Sequence, residues 1–138
     1  MLRKTDINNK KRLKSKKAIE EIFNSGNVVY SSDKSLRAHY LIHSSSVKCG
    51  IKSSVAVSKK AGKSVWRNRA KRLIREANRL NNQEVFDSCL QKNKQLEIIF
   101  ITNNLNETNN STITLNDIQK PIEEILNRVR GELIASSL

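Results

Sequence analysis

No stretch of eighteen apolar residues occurs anywhere in the chain, so nothing in it reads as a membrane-spanning helix. The opening residues Met1-Leu2-Arg3-Lys4 run into further polar residues. The apolar stretch of a secretory signal is missing there, and a cytoplasmic location is expected. Cysteine is scarce. Cys49 and Cys89 are the only two, far apart and without a CxxC spacing. They read as free thiols packed as small apolar groups, not as a disulfide or a metal site. Histidine is equally scarce. On one strand His39 and His43 would lie ~13 Å apart on the same face, too far to serve one reacting phosphate. Acidic residues number 13 against 26 Lys and Arg, and they are dispersed. A hydrolase would gather two acid–base groups, or several carboxylates around a metal, and no such constellation is visible. No residue is assigned a catalytic role, and no metal ligand is named.

What remains is positive charge, and it is concentrated. Residues 1–17 hold eight Lys or Arg and one acid, and residues 59–79 hold nine and one. From residue 84 onward there are five basic and eight acidic residues. A solvated surface mixes its signs, whereas segregated charge points to a polyanion partner.

With 138 residues, 37% of them hydrophobic, the chain suits one domain with a modest core. Residues 1–13 read as a basic arm with too little apolar material to order itself. A first helix is expected over about 15–25, capped by Ser15 and stopped at Gly26. Residues 27–43 read as strand. Ser44 to Gly50 resembles a hairpin loop, and Ile51 to Ser58 returns as a strand paired antiparallel to the first. A long helix is expected from Ser64, as N-cap, to Leu80. Leu96 to Thr102 carries Ile98-Ile99-Phe100-Ile101, which suits a strand buried on both faces. Asn103 to Thr112 reads as a polar loop. A last helix runs from Leu115 to about Arg130, with Pro121 near its start. The order α, β strands, α, β, α gives an α+β or α/β sandwich.

The second basic cluster lies mostly on the long helix. At ~100° per residue, Trp66, Ala70, Leu73, Ile74, Ala77 and Leu80 share one apolar arc. Arg67, Lys71, Arg75 and Arg79 form an i, i+4 ladder opposite, with Asn68 and Arg72 inside the basic face and Arg69 at its flank. Like charges at this spacing destabilise an isolated helix by a few tenths of a kcal/mol per pair. Glu76, best placed to pair with Arg72 or Arg79, is too little relief. Phosphates along the face would remove the tension, and arginine forks grip phosphate oxygens two at a time. Asn68 could bond a base or a 2′-hydroxyl. A solvated helix face, a membrane-surface helix and a DNA-reading helix are the rival readings.

The run Val55-Ala56-Val57-Ser58-Lys59-Lys60-Ala61-Gly62-Lys63-Ser64-Val65-Trp66-Arg67-Asn68-Arg69-Ala70-Lys71-Arg72-Leu73-Ile74-Arg75-Glu76 resembles the signature of the bacterial ribonuclease P protein component. A strand ends in Ser-Lys-Lys, a short Gly-containing turn follows, and then Arg-Asn-Arg-x-Lys-Arg-x-x-Arg-Glu. Arg12-Leu13 followed by Ile22-Phe23 and Gly26 resembles the family's first helix, so the likeness spans about residues 11–130. It implies a two-layer α/β sandwich with a four-stranded sheet, three helices and a left-handed βαβ crossover, an exception to the usual hand. It also implies a subunit that binds ribonuclease P RNA and promotes hydrolytic removal of the 5′ leader from precursor tRNA. In that picture the RNA, with Mg²⁺ that it mainly holds itself, does the chemistry, and no obligate protein partner is expected. Lys59, Lys60, Arg67, Asn68, Arg69, Lys71, Arg72, Arg75 and Arg79 would face that RNA. A cleft between the first helix and the sheet, with Arg12, Ile19, Phe23 and His39 or Tyr40, would hold the leader. Ile19 stands where the family often has an aromatic, and Phe23 is open to a core role as well. The expected organisation is a basic arm at 1–13, one RNA-binding domain at 14–131 and a tail at 132–138.

Overall fold

The computed structural model describes residues 10–44 and 48–135. Its elements follow as β1 (Lys10–Arg12), α1 (Lys16–Ser25), β2 (Asn27–Tyr30), β3 (Leu36–Ser44), β4 (Gly50–Ala56), a 3-10 turn (Lys59–Ala61), α2 (Ser64–Asn81), α3 (Gln83–Lys92), β5 (Lys94–Thr102) and α4 (Leu115–Ala135). The α+β class is as expected. Strands β2 to β5 form the expected four-stranded sheet, and the short β1 adds a fifth strand at the β4 edge, in the order β1-β4-β5-β3-β2.

β5 occupies the centre because it is apolar on both sides. Leu96, Ile98 and Phe100 face α2, α3 and α4 in the main core with Leu36, Ala38, Tyr40 and Ile51. Ile99 and Ile101 face the other way, onto Leu13 and Ile22 beneath α1. Helices therefore cover both faces of the sheet, α1 lying alone on the second. β5 pairs antiparallel to β3 and parallel to β4. The expected direct pairing of the 27–43 and 51–58 strands does not form, because β5 is inserted between them. The expected hairpin loop lies partly at 45–47, outside the described residues.

Other differences have local causes. The stretch 27–43 is two antiparallel strands, not one. Asp33 turns the chain by accepting hydrogen bonds from the Ser31 hydroxyl (2.9 Å), the Ser35 N–H (3.0 Å) and the Ser35 hydroxyl (2.8 Å). The expected arm ends earlier than residue 13. β1 pairs parallel with β4, the Leu13 N–H donates to the Ser53 carbonyl (2.7 Å), and the Leu13 side chain is buried. Four helices replace the expected three, because α3 follows α2 directly at Asn82 and buries Val85, Phe86 and Cys89. The Cys89 thiol is pushed up to about 12 by burial. α4 continues to Ala135 and buries Leu133, so residues 132–135 of the expected tail are helix.

α1 is built as its sequence suggests. Ser15 accepts from the Ala18 N–H at 3.3 Å, and Gly26 ends the helix. A Cβ on Gly26 would run into the carbonyls of Ile22 and Tyr40, which fixes α1 against β3 and leaves no room for a side chain.

Candidate nucleic-acid interface

α2 divides its residues as an amphipathic helix must. Trp66, Ala70, Ile74 and Ala77 are buried, and Leu73 is half-buried. Leu80 leaves the expected apolar arc and is 48% exposed, because the chain turns into α3 just beyond it. On the opposite side Asn68, Arg69, Arg72, Arg75 and Arg79 are exposed, while Arg67 and Lys71 are half-buried. Lys59 and Lys60 stand exposed on the 3-10 turn just before, so one surface carries all nine residues read from the motif.

These nine are not equivalent. Glu76, the one acid of α2, pairs with Arg79 through two contacts of 2.5 and 3.1 Å. That guanidinium holds the Glu76 carboxyl below its ordinary value. Arg67 Nε donates to the Gly62 carbonyl (3.0 Å), and Arg69 Nε donates to the Ile113 carbonyl (2.9 Å). These two arginines therefore brace the helix start as well as charging its surface. Among the described residues, no hydrogen bond or ion pair engages the side chains of Asn68, Lys71, Arg72 or Arg75. Cations with no internal partner are available to an external anion.

The helix start is held by a distant loop. Lys63, not Ser64, is the N-cap, and it offers no side-chain cap. Instead Glu107 Oε1 accepts from the Lys63 N–H (2.9 Å), while the Glu107 N–H donates to the Ala61 carbonyl (2.7 Å). Trp66 Nε1 donates to the Asn110 carbonyl (2.9 Å). The Asn-rich loop thus clamps the turn that presents Lys59 and Lys60, and a carboxylate sits at the positive end of the helix. Glu107→Ala is expected to cost about 1 kcal/mol, read in a thermal melt as a fall of roughly 3–5 °C. An unchanged melting temperature would mean that the loop does not hold the helix start.

The expected leader cleft is divided by strand alternation. His39 and Tyr40 are neighbours on β3 and so point to opposite faces. Tyr40 is 4% exposed and lies in the main core, so it cannot line the α1 side. His39 does, with its ring centroid 4.9 Å from that of Phe23 and the planes tilted by 53°. Phe23 is 46% exposed, which removes the core reading. Ile22, one residue earlier, takes the core position. Ile19 is half-buried against Ile22 and Leu41. Arg12 is not in this cleft. Its register opposite Ser53 places it on the α2 side, lining a groove with Arg75 and Arg79.

Two exposed residues of this surface escaped the sequence reading. Val28 and Tyr30 pair across strands with His39 and Arg37, which places them on the same face. The signal was the i, i+2 spacing of Val28 and Tyr30, but it carries meaning only once the register is known. Arg37 Nε donates to His39 Nε2 (3.4 Å), and Arg37 also donates to Asn103 Oδ1 (3.1 Å). Partial burial, then the Arg37 charge, lower the His39 pKa, so its ring is neutral at pH 7. His43 bonds Glu97 (2.6 Å) farther along the strand, beside Lys17, Lys48 and Lys52. The two histidines thus serve separate neighbours. Among the described residues no three His, Cys, Asp or Glu side chains gather to hold a metal ion.

Comparison with known proteins agrees with this architecture. In solved structures, the ribonuclease P protein of Staphylococcus aureus superposes with a TM-score of 0.61 at 22% identity, covering 86% of this chain and 94% of that one. The ribonuclease P protein of Thermotoga maritima gives 0.64 at 19% identity, with 87% and 96% covered. At such identities the likeness is one of fold. A sequence match to the ribonuclease P protein component of Clostridium botulinum is 47% identical over 58 residues, 41% of this chain. That match spans about half (47%) of the relative's length. The family model for ribonuclease P matches residues 7–129. A match over that much of the chain, on the fold and around the basic helix just described, shows that the chain belongs to the ribonuclease P protein family.

Proposed function

We propose that this chain is the protein subunit of ribonuclease P, binding the catalytic RNA through α2 and the 5′ leader of precursor tRNA on the α1 face. The observation that carries this is the exposed surface of Asn68, Arg72 and Arg75, preceded by Lys59 and Lys60, whose cations no acid among the described residues pairs with, Glu76 being taken by Arg79. Catalytic RNA and substrate are both polyanions. A protein that replaces counterions on each lowers the cost of bringing them together. Phe23 and His39 offer a stacking surface for an unpaired base, and Lys17, Lys48 and Lys52 stand with Glu21 and Glu97 at the other end of that face. The chain's carboxylates do not assemble a metal site among the described residues. In this reading Mg²⁺ is held mainly by the RNA, where it would supply water activation and charge stabilisation at the leaving oxygen. The protein's own part is to bind and position. A cytoplasmic location goes with this role. Among the described residues no helix is long and apolar enough to cross a membrane.

The test is precursor-tRNA cleavage at low Mg²⁺ by protein alone, by cognate ribonuclease P RNA alone, and by both. Cleavage at the mature 5′ end should require both, or be far faster with both. Cleavage by the protein alone would place an active site in the chain and overturn the assignment. If folded protein made no difference, a structural RNA-binding role without a link to tRNA processing would replace it.

A further inference from the structure

Resting on the RNA-binding reading, we propose that the groove between the β1–β4 edge and the C-terminal half of α2 is a pocket for one unpaired nucleotide of the RNA partner. Its phosphate would lie on Arg12, Arg75 and Arg79, and a donor on its base or ribose would reach Asn78 and Asn82.

The groove encloses about 470 Å³, within the ~300–1,000 Å³ typical of small-ligand sites. It lies on the opposite side of the sheet from Phe23 and His39. Ile51 and Val55 give it an apolar wall. Arg12, Arg75 and Arg79 are exposed at its rim and come from two different elements, β1 and α2. Asn78 and Asn82 lie deeper, only 7% and 6% exposed. Asn78 Nδ2 donates to Ser53 Oγ at 3.3 Å, but the side-chain oxygens of both asparagines lack any hydrogen-bond donor among the described residues. Buried amide oxygens are ordinarily paired, since leaving one unmet is costly. Asn82 is the more telling of the two. It joins α2 to α3 and its side chain caps neither helix, so among the described residues the amide oxygen serves no contact.

The chemistry of the ligand follows from this lining. Three guanidinium groups, of which Arg79 already meets Glu76 while Arg12 and Arg75 have no acid partner among the described residues, call for an anion. Two unmet acceptors call for N–H or O–H donors close to that anion, once small side-chain rotations bring the oxygens to the surface. A phosphodiester supplies no such donors, and inorganic phosphate carries its O–H only on the anion itself, not beside it where the asparagines lie. A nucleotide carries both, through its phosphate and the N–H groups of its base or its 2′-hydroxyl. Because the rim shares Arg75 and Arg79 with the α2 surface, RNA lying along that helix would deliver the nucleotide directly.

The test uses the full chain, labelled with ¹⁵N, and follows the side-chain amides of Asn78 and Asn82. The probes are the four nucleoside 5′-monophosphates, inorganic phosphate and a short aspartate peptide at matched ionic strength. The nucleotides should shift both amides, and phosphate should not. Asn82→Ala should weaken nucleotide binding about three- to tenfold and leave phosphate binding unchanged, whereas Arg79→Ala should weaken both. Asn82→Ser, an effective N-cap for α3, replaces alanine if the melting temperature falls. Comparing each nucleotide with its 2′-deoxy form tells ribose from base recognition. Equal shifts with phosphate, binding of the aspartate peptide with the same shifts, or nucleotide affinity indifferent to Asn82 would each overturn the pocket. Arg72, outside the groove, separates this failure from a deeper one. If Arg72→Ala weakens binding to ribonuclease P RNA while Asn82 variants change nothing, the α2 surface stands and the pocket falls. If neither matters to RNA binding, the RNA-binding reading itself is lost.

Discussion

Replacing Arg72 and Arg75 together by alanine is expected to lower affinity for ribonuclease P RNA by roughly a hundredfold or more, with the protein as stable as before. Both side chains are exposed, and neither has an internal partner among the described residues. The hydrogen bonds they can make are therefore open to water or to a partner outside the chain. A hydrogen bond to a charged group is worth about 1.5–3 kcal/mol, and two such losses set the size of the effect. Stability should hold for a second reason. Lys71, Arg75 and Arg79 repel one another at i, i+4 spacing, so removing Arg75 relieves a strain of a few tenths of a kcal/mol per pair. Alanine is also the best helix former. Salt dependence gives an independent check. Each lost phosphate contact should flatten the plot of log affinity against log salt by about 0.7–0.9, so the double variant should lose about 1.5. Arg67→Ala should behave differently, weakening RNA binding and also loosening the turn, because its Nε holds the Gly62 carbonyl. If the double variant bound RNA normally with an unchanged slope, the basic surface would be solvated and nothing more. If it unfolded, the surface would be structural.

How much of this was legible follows from which interactions are local. α2 could be read directly, since its apolar arc and its basic ladder repeat at helical spacing over several turns. β5 could be read because a run apolar on both faces has to be covered on both faces. Its central position, which keeps β3 and β4 apart, could not. Sequence neighbours joined by a Ser- and Gly-containing loop favour a hairpin, and only the completed sheet shows that a strand forty residues later, at Lys94–Thr102, takes the space between them. α3 was within reach. Val85, Phe86, Cys89 and Leu90 recur at i, i+1, i+4, i+5, but the absence of a loop after α2 concealed the new start. β1 was not within reach. Lys10-Lys11-Arg12 has no period, and its extended form comes from pairing with the exposed edge of β4. The same division governs the site. Residues grouped by one helix were identified together. Those grouped by cross-strand register are not legible in this way: only the register chooses His39 over Tyr40, moves Arg12 to the α2 side, and brings Val28 and Tyr30 to the α1 face.

Phe23→Ala should reduce the preference for leader-bearing over mature tRNA by about five- to a hundredfold, the value of one base stacked on an aromatic ring. The reading is the ratio of the two dissociation constants, measured on protein assembled with ribonuclease P RNA. Nearly half of the Phe23 residue surface is open, and its ring lies against His39, not in the apolar cluster that holds Ile22. The fold should therefore lose far less than the 3–5 kcal/mol that a buried phenylalanine is worth. A melt showing that full loss, with the ratio unchanged, would return Phe23 to the core. The partner ring adds a pH signature. Burial, then Arg37, depress the His39 pKa below the ordinary value of about 6.5. A histidine depressed by folding contributes its stability in full above that value and loses it as the pH falls through its folded pKa. Below that point the ring is cationic and repels Arg37, so the platform beside Phe23 is intact at neutral pH and loosens in acid. The phosphates of a bound leader would offset that repulsion. Bound leader should then raise the His39 pKa, and Phe23→Ala should shrink the rise by weakening the contact that brings the leader there. A His39 titration indifferent to leader would place the leader elsewhere on the protein.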